Sequence, residues 1–216
     1  MEFPLHLQTI PLQSAPVSLY VPDAAAVRAA YEEGKMPFPY WSQVWPAAIA
    51  LAQFLAIHPE YIARKNIVEL GAGLGLPSLV AASYAGTVLC TDIAPEAVAI
   101  VEKSVKKMGL ENVCAMAIDW SNLPKEFSAD VLILSDINYE PAAFGQLQKL
   151  VNRFLQNGSL ILLSTPQRLM AKEFVLPLLQ HYSFQEEISV EHNGSLVPTT
   201  VLVLEKGLPS ETKQAQ

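Results

Sequence analysis

Residues 68–75 read Val-Glu-Leu-Gly-Ala-Gly-Leu-Gly, and Asp92 closes the next apolar run, Thr-Val-Leu-Cys-Thr-Asp. An acid, three alternating glycines and a second acid roughly 20 residues further on form a spacing with a chemical use. Glycine lets the chain turn sharply between strand and helix and lets a ligand approach bare backbone. Asp92 then stands where a carboxylate can accept hydrogen bonds from ribose hydroxyls. Gly71, Ala72, Gly73, Gly75 and Asp92 therefore point to a nucleoside-containing cofactor.

The details of the run decide which one. A nicotinamide dinucleotide site asks for Gly-x-Gly-x-x-Gly with a pyrophosphate close to the helix start. Here leucine (Leu76) fills the sixth place and an additional glycine (Gly75) the fifth. Glu69, just ahead of the turn, would repel a pyrophosphate. An acid there suits a cationic or neutral group, such as the amino-acid end of S-adenosylmethionine (SAM). Glu69 is read as meeting that end directly or through water.

These residues need a scaffold, and the pattern supplies one. From residue 66 the chain alternates: strand Asn66–Leu70, helix Leu76–Tyr84, strand Thr87–Thr91, helix Pro95–Met108, strand Val113–Ile118, strand Asp130–Ser135, helix Pro141–Gln156, strand Ser159–Ser164, helix Gln167–Tyr182. In the Pro95 helix, Val98, Val101, Val105 and Met108 recur at helical spacing and predict the buried stripe. Such βαβ alternation implies a parallel sheet covered on both faces. The end departs from it: Phe184–Glu191 and Thr199–Glu205 flank His192-Asn193-Gly194-Ser195, and Asn-Gly between strand-like runs signals a hairpin. The expected fold is α/β, a Rossmann-like doubly wound sheet of seven strands, mostly parallel, with an antiparallel C-terminal hairpin. Ahead of it, Leu5–Ile10 and Val17–Val21 read as short strands, Ala24–Glu33 as a helix capped by Asp23, and Ala47 to about Ile57 as an apolar helix. The division expected is residues 1–60 packed on the core as a lid over cofactor and substrate, 61–206 as the core, and 207–216 as a disordered tail, one domain overall.

Composition narrows the partners. Half of the 216 residues are hydrophobic and 16% charged, enough apolar material for a substantial core. The net charge is −7, and the one dense basic cluster is Lys103, Lys106 and Lys107, so nucleic acid is a poor partner. Cys90 and Cys114 both lie in strand-like runs and are expected as small buried hydrophobes rather than a disulfide. No signal peptide and no run of membrane-spanning length is recognisable, which reads as cytoplasmic. The four histidines are dispersed, without metal-ligand spacing.

With these features together, the sequence resembles the seven-strand class I SAM-dependent methyltransferases over nearly its whole length. Within them it resembles the protein-lysine methyltransferase group, long labelled nicotinamide N-methyltransferase-like. Pro39-Tyr40-Trp41-Ser42-Gln43-Val44-Trp45-Pro46 is similar to that group's Trp-containing entry to the helix before the first core strand. Ser135-Asp136-Ile137-Asn138-Tyr139 matches its Asp-x-x-Tyr motif. The Pro-Tyr-Trp opening is especially similar to the electron-transfer-flavoprotein β-subunit lysine methyltransferases. The resemblance implies SAM as cofactor, S-adenosylhomocysteine as product, and a protein lysine or a small amine as acceptor. It assigns Trp45, Asp119, Trp120 and Ser135 to the cofactor, with Asp119 and Trp120 at the adenine. Asp136 and Tyr139 take the catalytic places, and Tyr40 and Trp41 are candidates for the substrate channel. Adenine and glutamine N-methyltransferases carry Asn/Asp-Pro-Pro-aromatic at this point; Ile137-Asn138 in place of Pro-Pro argues against them. A SAM-binding protein without catalysis is the reading from another class.

Overall fold

The computed structural model describes residues 1–167 and 171–207. The chain opens with strands β1 (Leu5–Ile10) and β2 (Val17–Pro22), an antiparallel pair that forms its own small sheet. Helix α1 (Ala24–Glu32) follows, its first turn capped by Asp23, whose carboxylate accepts from the Ala26 N–H at 2.8 Å. Helix α2 (Pro46–Ile57) begins with proline, which has no N–H to leave unpaired there. It is apolar all round, and most of its residues are buried.

The main sheet contains β3 (Asn66–Leu70), β4 (Thr87–Asp92), β5 (Val113–Ala117), β6 (Val131–Ser135), β7 (Leu160–Pro166), β8 (Tyr182–His192) and β9 (Ser195–Leu204). Its order is β5-β4-β3-β6-β7-β9-β8. All neighbouring pairs are parallel except those of β9, which lies antiparallel to both β7 and β8. This is the expected seven-strand, mostly parallel sheet with its antiparallel hairpin. The connecting helices are α3 (Leu76–Ala81), α4 (Pro95–Met108), α5 (Phe144–Gln156) and α6 (Ala171–Val175).

Strand alternation sorts the core into two layers. Val131 and Ile133 of β6 face the cluster that holds α2, α3 and α4, whereas Leu132 and Leu134 face the cluster formed with α5. Phe154 and Leu147 of α5 are fully buried there, each worth about 1.5–3 kcal/mol of transfer free energy. With β3 between β4 and β6 and parallel to both, the C-terminal ends of these three strands open onto one edge, where loops can build a site.

Several boundaries differ from expectation for local reasons. Helix α3 stops at Ala81 because the next turn tightens, with Ser83 and Tyr84 N–H donating to Val80 and Ala81 carbonyls. The expected Gln167–Tyr182 helix is α6 followed by a 3-10 turn over Leu176–His181; Pro177 withholds an N–H, and residues 168–170 lie outside the described residues. Strand β9 starts at Ser195 rather than Thr199. Asn193 and Gly194, at φ +51° and +74°, make a two-residue turn that pairs His192 with Ser195. Pro198 lies just past the last β7 pair, Pro166 with Thr199, and its carbonyl accepts from the Gln167 N–H at 3.1 Å, a bond that does not need its missing N–H.

The buried face of α4 holds Ala97, Ile100, Val101 and Ser104; of the expected stripe, Val101 is buried and Val105 and Met108 pack against the core at its edge. Small residues take the centre because the hairpin backbone approaches there: the Tyr20 N–H donates to Ser104 Oγ at 2.9 Å. Cys90 is buried as expected, but Cys114 is exposed, since β5 is an edge strand with an open face. No helix among the described residues is long and apolar enough to cross a membrane. Of the expected tail, residues 207–216, all but residue 207 lie outside the described residues.

Candidate active site

The glycine turn after β3 explains its own composition. Gly71, Gly73 and Gly75 have φ of +63°, +55° and +71°, a left-handed region that side chains disfavour. Space is short as well: a Cβ on Gly75 would lie 2.9 Å from Cys90 Sγ and 3.1 Å from a Val101 methyl. The Ala72 N–H donates to the Thr91 carbonyl at 2.8 Å and ties the turn to β4. At the end of β4, Asp92 accepts from the Gly73 N–H at 2.8 Å through one oxygen and from Ala94 at 2.9 Å through the other. The carboxylate is nearly buried, and burial raises its pKa despite those backbone donors.

Across from the turn, β6 ends in Ser135 and passes into Asp136, a non-glycine residue at φ +49°. Two bonds hold this uncommon conformation. The Asp136 N–H donates to the Ser164 carbonyl at 2.9 Å, and Asn138 Nδ2 donates to Thr165 Oγ1 at 3.1 Å. Ser164 also reaches the other way, its buried hydroxyl donating to the Ala47 carbonyl at 2.9 Å. Ser164 and Thr165, at the end of β7, thus fasten both the Asp136 loop and the first turn of α2. Just ahead of that turn, Trp45 Nε1 donates to the Tyr40 carbonyl at 2.6 Å and folds the aromatic segment on itself. The Tyr40 and Tyr139 rings then meet 4.6 Å apart, joining that segment to the Asp136 loop.

These elements enclose a cavity of about 490 Å³. Of the residues singled out from the sequence, Trp45, Gly71, Ala72, Gly73, Gly75, Asp92, Trp120, Ser135, Asp136 and Tyr139 line it, together with Tyr40 and Trp41. Glu69 and Asp119 are placed elsewhere. Glu69 is fully buried beneath the turn, where one oxygen accepts from the Ser78 N–H at 3.0 Å and from its hydroxyl at 2.5 Å. Its other oxygen is buried without a hydrogen-bond partner among the described residues. Burial pushes the Glu69 pKa up to about 8 against the Ser78 bonds, and the Asp92 charge adds to the rise. Asp119 caps the turn at Trp120–Asn122, accepting from the Ser121 N–H at 2.9 Å and Asn122 Nδ2 at 2.7 Å. Hydrogen bonds from Ser121 hold its pKa low.

Sequence reasoning missed Ile93, Ile137 and Phe38, which also line the cavity. Ile93 is 67% exposed directly after Asp92, and an apolar side chain at that strand end was the available signal. Ile137 packs on Gly71, within 3.2 Å of where a Cβ would sit. Nothing in local spacing announces that contact. Among the described residues no cluster of three or more His, Cys, Asp or Glu is placed to hold a metal.

The model of a family described as lysine methyltransferase matches residues 39–181. The chain belongs to the lysine methyltransferase family. Protein N-lysine methyltransferase METTL21A of Xenopus tropicalis is 30% identical over 148 residues, 66% of this chain and 69% of that protein. Histone-arginine methyltransferase METTL23 of Xenopus laevis is 32% identical over 122 residues, 54% of this chain and 52% of that one. The electron transfer flavoprotein beta subunit lysine methyltransferase of Mus musculus is 28% identical, covering 72% and 63%. The chain spans about half the length of the METTL23 relatives it matches.

Among solved structures, the Thermus thermophilus 16S rRNA N2 G1207 methyltransferase, in complex with AdoMet and guanosine, superposes with a TM-score of 0.63 at 17% identity, over 94% of this chain and 51% of that one. The N-methyltransferase NodS of Bradyrhizobium japonicum, in complex with S-adenosyl-L-homocysteine, gives 0.59 at 12% identity, over 82% and 97%. At these identities the likeness establishes the methyltransferase fold alone.

Proposed function

We propose that this chain is a SAM-dependent N-methyltransferase that acts on a lysine side chain of a protein. The observation that carries the reading is one cavity lined on one side by the glycine turn and Asp92, and on the other by Asp136 at the end of β6. The residues fit the cofactor. The bare glycine backbone leaves room for close approach, Asp92 keeps lone pairs for ribose hydroxyls, and Trp120 and Ile93 offer apolar surface for a purine. Glu69 acts from beneath the turn, positioning it through Ser78, and Asp119 holds the Trp120 turn in shape.

Bound SAM supplies an electrophilic methyl on a sulfonium that leaves as a neutral thioether. What the chain must add is position and dryness. A lysine amine has a reference pKa of about 10.4, so deprotonating it near pH 7.4 costs roughly 4 kcal/mol. Asp136 recruits and orients the ammonium, while burial and the neighbouring positive sulfur favour loss of its proton to water. Asp136 and Tyr139 would hold the neutral amine with its lone pair turned into the cofactor cavity that they line. Tyr139, with its phenol pKa pushed up to about 12 by burial and then by Glu140, stays protonated as a wall and a hydrogen-bond donor. Cys90 and Cys114 are free thiols, which suits the reducing cytoplasm.

A second reading comes from the METTL23 relatives, which are named for histone arginine. Incubation with radiolabelled SAM and an extract of the source organism tests both. Acid hydrolysis of a labelled protein band should release methyl-lysine. Methyl-arginine would move the assignment to the second reading, and label confined to small molecules would overturn the protein substrate altogether.

A further inference from the structure

Four aromatic rings run outward from the cavity in an unbroken file. Tyr139 meets Tyr40 at 4.6 Å, Tyr40 meets Phe38 at 4.5 Å, and Phe38 meets Tyr31 of α1 edge-on at 5.4 Å. All are exposed, at 38%, 43%, 53% and 42% in that order. Phe38, Tyr40 and Tyr139 line the cavity, whereas Tyr31 lies beyond its rim. Contiguous exposed apolar surface of this kind is unusual on a soluble chain and marks places where something binds. Nothing in cofactor binding requires Tyr31 or the outer part of Phe38.

The charges along the file say what fits. At the cavity end stand Asp92 and Asp136, with exposed Glu140 next to Tyr139. Lys35, the one cation lining the cavity among the described residues, is paired with Glu33 at 2.5 Å. At the outer end the charges also cancel in pairs, Arg28 with Glu32 at 2.7 Å. The surface is thus acidic at its inner end and neutral and apolar along its length. Its complement is a chain segment with a cation at one point and apolar side chains to one side of it.

We infer that the Tyr139–Tyr40–Phe38–Tyr31 file is the docking track for the substrate protein, seating apolar side chains that flank the target lysine on one side. The steps between rings span at most about 15 Å, the length of four or five residues of extended chain. The apolar contact therefore falls within about five residues of the lysine. The inference rests on the protein-lysine reading above and adds how the partner is held.

The test compares wild type with Tyr31→Ser and with Tyr31→Ser/Phe38→Ser, using radiolabelled SAM and the source extract, with the labelled site mapped by mass spectrometry. Tyr31 sits on the exposed side of a helix, so its replacement leaves the fold intact; unchanged thermal unfolding and SAM titration verify this. Truncating one contact aromatic should lower protein labelling about tenfold, with Tyr31→Phe restoring most of it. The mapped lysine should have Leu, Ile, Phe, Met, Tyr or Trp within five residues on one side. Undiminished labelling by Tyr31→Ser, or a mapped lysine flanked only by polar residues, would overturn the track. So would a dimer in sedimentation that Tyr31→Ser abolishes, because the file would then be covered by a second copy. No protein labelled by wild type would remove the protein-lysine reading itself, and the track with it.

Discussion

The two sides of the cavity are built in different materials. The side made by β3, its turn and β4 is backbone and glycine. Three left-handed glycines, one carboxylate capping two N–H groups and a strand-to-turn bond all fall within residues 69–94. The side made by β6 and the aromatic segment is side chains drawn from afar: Tyr40 against Tyr139, Asn138 against Thr165, Ser164 against Ala47. A cofactor that never changes can be met by rigid backbone. In the function proposed here, the acceptor is met by the second side, a surface that substitutions can reshape without disturbing the turn.

That contrast can be broken from either side. The largest effect is expected at Gly75→Val, where a Cβ meets Cys90 and Val101 at a left-handed φ. Strain and overpacking together should cost about 3 kcal/mol or more, read by urea unfolding, with SAM binding lost alongside. A stable variant that still binds SAM would show that the turn is not rigid.

Glu69 gives a pH signature to the same side. With its pKa raised to about 8, the folded chain keeps a proton through a range where the unfolded chain has released it. Its contribution is therefore complete below the ordinary glutamate value and is lost as pH rises through about 8. Wild type should lose a few kcal/mol relative to Glu69→Gln between pH 5 and pH 9 in denaturant titrations. Parallel pH profiles would place the Glu69 carboxyl in water.

On the acceptor side, Thr165→Val removes the partner of buried Asn138 and should cost about 1–2 kcal/mol. Because the Asn138 bond holds the loop rather than the cofactor, turnover should fall several-fold while SAM affinity stays within twofold, with Thr165→Ser restoring it. An equal loss in both would merge the two sides.

The same division governs what could be read from the sequence. Gly71, Gly73, Gly75 and Asp92 were legible because each serves a local backbone need at fixed spacing. The sheet was legible because its strands alternate with helices and end in Asn-Gly. The setting of Glu69 beneath the turn was not legible because a strand buried on both faces gives no alternation to tell its two sides apart, and its partner Ser78 lies on the next helix. On α4 the stripe residues Val101, Val105 and Met108 were legible from helical spacing, whereas Ser104 is buried where the Tyr20 N–H of β2 meets its hydroxyl, which α4 alone cannot reveal. Cys114 turned out exposed because strand order, not strand sequence, decides which strand is at the edge. Phe38 and Tyr31, like Ser164 and Thr165, acquire their places only when segments distant in the chain meet.

The most direct test of the two-sided cavity is a calorimetric titration of SAM into Asp92→Ala and Asp136→Ala, with methyl transfer to labelled protein measured on each. Asp92→Ala should weaken SAM binding tenfold or more. Asp136→Ala should bind SAM within threefold of wild type and lose at least a hundredfold in transfer. An Asp136→Ala protein that transfers methyl at the wild-type rate, or that fails to bind SAM, would contradict the division of labour proposed for this cavity.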